Sequence, residues 1–227
     1  MEQIKETLPS LILAYGFFNR VFMEKPEREF ILSLAREDLF ADWPLKSDDN
    51  HTQTGLRLLR EFFSSWKEEY LQKLEADFHR LFIGPDIKAV PWESAWLSRD
   101  HLLFEKQTME VRAFYRAFDL QAPALNTEPD DHLALEFAFM VHLFTLILGF
   151  ADAGDESKFN EVIKVQHTFF SEHIITWAPE FLNEIIDHAE TDYYRGAAML
   201  CTGCLEVTTA WGKTLISELI TNQGLNP

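Results

Sequence analysis

One stretch governs what this chain can fold into: the apolar run from Leu133 to Phe150, LALEFAFMVHLFTLILGF. As a helix it is near the length of a membrane span. Two polar residues, Glu136 and His142, interrupt it, and the acidic ADAGDES follows with no flanking Lys or Arg. Charge is costly at the middle of a bilayer, and a spanning helix carries a basic flank on one side. The run therefore predicts a central helix buried on nearly all sides. Such a helix needs amphipathic partners to cover it.

The rest of the chain supplies those partners. Leu8, Leu11, Ile12, Tyr15, Phe18 and Phe22 fall at helical spacing, with Pro9 suited to a first turn. Pro26 opens a second helix carrying Phe30, Ile31, Leu34 and Leu39, which Trp43-Pro44 ends. Leu56, Leu59, Phe63, Trp66, Tyr70 and Leu74 predict one long third helix that runs towards Phe82 and stops at Gly84-Pro85. A helix is expected around Thr108 to Phe118, and Pro129 suits the first turn of the central helix. Phe159, Val162, Ile163, Gln166, Phe170, Ile174 and Trp177 mark another helix. Pro179 opens the next, and Tyr193 to Leu219 reads as helix with glycine interruptions. The expectation is an all-α, compact bundle-like fold of about eight to twelve helices in a single domain over residues 1–227. Asp119 to Glu128 is poor in large side chains and holds Pro123. It is the candidate hinge between N-terminal and C-terminal helical halves.

The chain has 227 residues, 47% hydrophobic, and a formal charge of -17. That surface repels a nucleic-acid backbone or an anionic membrane face and attracts a cationic partner, although it also serves solubility. Two cysteines, Cys201 and Cys204, give no disulfide framework. The first residues, MEQIKETLPSLILAYGFF, lack the basic region and cleavage site of a signal peptide, so a cytoplasmic location is expected.

Catalytic and cofactor motifs are weak. CTGC (201–204) has Cys-x-x-Cys spacing in a helical, small-residue context, which favours buried structural thiols over redox or zinc chemistry. WGKT (211–214) ends like a phosphate-binding loop, but Val207 stands where its first glycine belongs. Glu128, His132 and Glu136 are each one turn apart, as metal ligands on one helix face would be, yet no matching Glu-x-x-His pair appears elsewhere. No cofactor, metal or catalytic residue is predicted. Trp92 and Trp96 lie on or beside a loop, where core packing explains them less readily than an apolar, peptide-receiving groove does. In NTEPDDH (126–132), Glu128, Asp130 and Asp131 either cap a helix N-terminus or hold a pair of arginines through bidentate hydrogen bonds, with His132 as a neighbour. The residues alone leave both readings open.

The ordered combination DFHRLFIGP (77–85), PWESAWL (91–97) and EPDDH (128–132) resembles the TorD/DmsD family of cytoplasmic chaperones. The resemblance runs from the first helix to about Trp177. Only Val90 precedes Pro91, where some relatives have a second proline, and the tail offers no family motif. The resemblance implies an all-α fold in which domain-swapped dimers occur. It implies no enzymatic activity. It also implies binding of the twin-arginine leader of a molybdenum-cofactor oxidoreductase, of the dimethyl-sulfoxide-reductase type, held back from export until the cofactor is inserted. By motif match, leader binding falls on Leu81, Phe82, Gly84, Pro85, Pro91, Trp92, Glu128, Asp131 and His132. Trp96 and Asp130 join them as neighbours in the same segments. The client enzyme, and any binding of a guanine nucleotide or molybdenum cofactor, lie beyond this reading. A helical metalloenzyme using His132 and Glu136, and a structural oligomerisation protein, are the alternatives.

Overall fold

A computed structural model describes residues 2–222 apart from His101 and Asn126. The chain runs α1 (Glu2–Met23), α2 (Arg28–Arg36), α3 (Asn50–Ser64), α4 (Tyr70–Phe78), a π-helical turn (His79–Ile83), α5 (Glu93–Leu97), α6 (Lys106–Ala117), α7 (Leu133–Ala153), α8 (Glu156–Phe169), a second π-helical turn (Phe170–Ile174), α9 (Ala178–His188) and α10 (Asp192–Asn222). Among the described residues there is no strand, and 72% of the chain is helical.

The apolar run is α7, the central helix. Leu133, Phe137, Met140, Leu143, Phe144 and Ile147 are fully buried along it. Helix α1 lies against one side, where Tyr15 meets Phe137 and Phe144 edge-on at 5.0 and 5.5 Å. The Tyr15 hydroxyl then donates to Thr208 Oγ1 of α10 at 3.0 Å, so one buried side chain ties three helices. Helix α8 covers another side, with Phe139 against Phe169 at 4.8 Å. By length and composition α7 could cross a bilayer; half of that stretch is buried against the rest of the chain.

The glycine interruptions of the last helix are contact points. A Cβ on Gly55 of α3 would lie 2.7 Å from the Leu200 amide nitrogen and 2.8 Å from the Gly196 carbonyl oxygen of α10. The two backbones touch there, and only the absence of a side chain permits it.

Four local expectations are corrected. The long third helix is two, α3 and α4. The Ser64 and Ser65 hydroxyls donate back to the Glu61 and Phe62 carbonyls, competing with the helical bonds. Trp66, edge-on to Tyr70 at 6.1 Å, spans the break and keeps the apolar stripe on one face. Pro9 lies inside α1 rather than in its first turn, because the helix already runs from Glu2. Leu39 lies beyond α2, which ends at Arg36. Pro129 precedes α7, whose N-cap is His132, because Asp130 and Asp131 are drawn to partners elsewhere.

The 119–128 segment is irregular. Asp119 takes a left-handed backbone conformation (φ 57) and the Leu120 amide donates to Tyr115 O, which closes α6. The Thr127 and Glu128 amides both donate to Ala124 O.

Candidate functional site

Two loop segments far apart in sequence meet in a short antiparallel bridge. The Glu93 amide donates to Asp131 O at 3.0 Å, and the Leu133 amide to Pro91 O at 2.9 Å, pairing Trp92 with His132. The half-buried Trp92 ring meets the His132 ring edge-on at 5.8 Å. Trp92 Nε1 has no hydrogen-bond partner among the described residues. Trp96, also half-buried, donates from Nε1 to Val90 O at 2.7 Å, which fixes the loop leading into Pro91. The PWES and DDH motifs are thereby one site.

The carboxylates of DDH are engaged within the chain. Asp131 is fully buried: Oδ2 accepts from the Ser94 amide at 2.6 Å, and Oδ1 from the Thr108 hydroxyl at 2.7 Å. It thus caps α5 and fastens α6 to the bridge. Asp130, also fully buried, accepts from Arg112 Nε at 3.0 Å and NH2 at 2.5 Å. His132 caps α7, its Nδ1 accepting from the Ala134 amide at 3.1 Å. That bond needs a neutral ring, and burial lowers the His132 pKa to about 4. Glu128 is the exposed carboxylate of this stretch. Asp131 therefore caps a distant helix, α5, whereas His132 caps α7 locally.

Beneath the bridge lies a second polar layer. Glu93 is buried and sits 3.0 Å from His173 Nδ1. Burial raises its pKa, with His173 acting against the shift. Glu136 is fully buried, and neither of its oxygens has a hydrogen-bond partner among the described residues. Burial first, then the charges of Glu93 and Asp131, hold its pKa well above the usual carboxylate range; the neighbouring Trp177 indole eases this without completing a hydrogen bond.

The 77–85 motif is placed differently. Leu81 and Phe82 are core residues, Phe82 packing on Phe22, Phe78, Phe181 and Tyr194. Gly84 turns the chain with φ 100, which a side chain would strain, and Pro85 is exposed. Pro91 is buried. Asp77 accepts from the Glu190 and Thr191 amides and the Thr191 hydroxyl, anchoring the entry to α10. The motif thus holds the α4 end against α9 and α10, and Phe181 of that cluster meets Trp177, which packs against Trp96 of the bridge segment.

Sequence reasoning missed Glu93, Ser94, Thr108, Arg112 and His173. Arg112 had a readable signal: it shares a helical face with buried Thr108, Val111 and Tyr115. Among the described residues, no three-ligand grouping includes His132 or Glu136; the grouping that occurs is Asp49, His51 and Glu206, at the partly exposed α3 start and on α10. Cys201 and Cys204 are buried free thiols, and burial pushes both thiols up.

Residues 45–183, more than half the chain, match the family model described as nitrate reductase delta subunit. The Tat proofreading chaperone DmsD of Salmonella typhi is 28% identical over 171 residues, spanning 75% of this chain and 72% of that protein. The chaperone protein TorD of Aliivibrio fischeri is 27% identical over 142 residues, spanning 62% of this chain and 65% of its own. The chain belongs to the TorD/DmsD family. As a TorD/DmsD protein it is a redox-enzyme maturation chaperone and not an enzyme. Every motif that carries the TorD/DmsD resemblance lies inside the matched residues, which end within α9.

Proposed function

We propose that the protein binds the twin-arginine leader of a molybdenum-cofactor oxidoreductase of the dimethyl-sulfoxide-reductase type, in the cytoplasm, and holds that enzyme until its cofactor is inserted. The observation that carries this reading is the Trp92–His132 bridge, which joins two family motifs beside an exposed carboxylate. In this reading Glu128 meets the arginines, and Trp92, with Trp96 and Pro85, offers apolar surface to the segment that follows them. Asp130, Asp131, His132 and Pro91 hold that surface in shape, and Leu81, Phe82 and Gly84 form its backing. A direct role for Asp131 in arginine pairing requires release of Ser94 and Thr108 first. The body of the client enzyme is a second contact. The 119–128 segment serves as the hinge when two copies exchange helical halves, so the protein works as a monomer or a domain-swapped homodimer.

Calorimetric titration tests the leader site. Two peptides are needed, the native leader and one with both arginines replaced by lysine. Burying a large apolar side chain contributes roughly 1.5–3 kcal/mol, and an exposed ion pair ~0.2–1 kcal/mol. Trp92→Ala should therefore weaken both peptides strongly, and Glu128→Gln should narrow the gap between them. Equal binding of the two peptides by the unaltered protein would sink the arginine reading.

A further inference from the structure

The 119–128 segment lies over the end of α6 and the first turns of α7 and leaves an apolar pocket of about 250 Å³ open to solvent. Tyr115, Leu120, Pro123, Leu135, Ala138 and Phe139 line it. An apolar cavity of about 150 Å³ accommodates benzene, so this one has room for a leucine or phenylalanine side chain. The family motifs include none of these residues.

The pocket is joined to the candidate site through two contacts. The Tyr115 hydroxyl donates to Asp130 O at 3.2 Å, and the Leu135 amide to His132 O at 2.8 Å. Trp92 meets His132, and Tyr115 meets Asp130, so the 130–132 segment has an apolar feature at each end. The exposed Glu128 belongs to the same segment as Leu120 and Pro123, in the turn its own amide closes on Ala124 O at 3.0 Å.

We propose that this pocket takes one large apolar side chain from the client leader, downstream of the arginine pair. The inference rests on the proposed function. Charge selects the occupant. A peptide with a cationic end and an apolar continuation matches a carboxylate beside an apolar pocket on a chain of charge -17, whereas a second copy of this chain carries that same charge.

Ala138 is exposed on α7 at the pocket, so enlarging it fills the pocket without entering the core. Ala138→Trp in the full chain is titrated with the native leader, with a leader whose apolar residues are replaced by serine, and with the lysine-substituted leader. The unaltered protein should prefer the native over the serine leader by about tenfold or more. Ala138→Trp should narrow that preference, the Trp92 surface supplying what remains, and keep the preference for arginine over lysine. Ala138→Leu reads the same preference should the larger side chain fail to fold. A folded Ala138→Trp whose apolar preference equals that of the unaltered protein overturns the pocket assignment alone. A variant that changes only the monomer–dimer distribution on light scattering makes the occupant a second copy and overturns it too. An unaltered protein that binds no leader overturns the proposed function and the pocket together.

Discussion

Asp131 offers the sharpest test of how the bridge is built. Its two oxygens accept separately, from the Ser94 amide and the Thr108 hydroxyl, in a fully buried setting. Asp131→Ala removes both acceptors and leaves two buried donors unpaired. Hydrogen bonds to a charged group contribute about 1.5–3 kcal/mol each. Loss of the carboxylate also relieves repulsion, because its charge raises the pKa of both Glu93 and Glu136. The net cost of Asp131→Ala should be about 3–5 kcal/mol, a large share of a stability of roughly 5–15 kcal/mol. Asp131→Asn differs in kind. Its oxygen can accept from the Ser94 amide while its nitrogen donates to the Thr108 hydroxyl, which rotates to accept. That variant should lose only about 1–2 kcal/mol. Urea unfolding of both variants, and of each combined with Thr108→Val, gives the values and the coupling. Equal costs for Asn and Ala, or a cost for Ala below about 1 kcal/mol, would refute the two-acceptor account.

Three further outcomes are expected. His132 has a folded pKa of about 4, below its unfolded value near 6.5. Its contribution is fully present above about pH 6.5 and is lost as pH falls towards 4, reaching about 3 kcal/mol, because the unfolded chain takes the proton first. His132→Asn keeps an N-cap acceptor and should remove this acid sensitivity, measured as urea midpoints from pH 7 to 4. Gly55→Ala should cost about 1–3 kcal/mol by forcing α3 from α10, seen as a lower thermal midpoint; an unchanged midpoint would mean that the helices separate freely. Cys201 and Cys204 should resist a thiol reagent in the native chain and react only in denaturant, and a double Cys→Ser variant should fold and still bind leader; fast native labelling would show α10 to be loosely packed.

Secondary structure was legible where the pattern is local. The apolar run of α7 carries its own length, and the stripe of α1 carries its period, whereas the stripe from Phe159 to Trp177 runs past α8 through the π-helical turn to the cap of α9. The break between α3 and α4 was not, because the stripe continues through Trp66 and Tyr70 and the interruption comes from two serine hydroxyls. Pro129 misled because local turn chemistry suggested a helix start, whereas distant Arg112 and Thr108 decide where the 130–132 segment runs. For the same reason the sequence named Asp130 and Asp131 but left their partners unidentified: a buried carboxylate's donor can sit anywhere in the chain. Glu136 stood out as a charge inside an apolar run. Glu93 and His173, 80 residues apart, gave no sign that they meet.

The close seat between α3 and α10 also shapes how the chain comes into being. Leu59 and Phe62 on α3 meet Gly196 and Tyr193 only once α10 arrives, and most of the sequence lies between the two. At ordinary synthesis speeds that interval is on the order of ten seconds, during which the apolar face of α3 lacks its α10 cover. Long-range closure of this kind slows folding and invites association among unfinished chains. A redox-enzyme maturation chaperone therefore passes through an unguarded interval of its own on the ribosome.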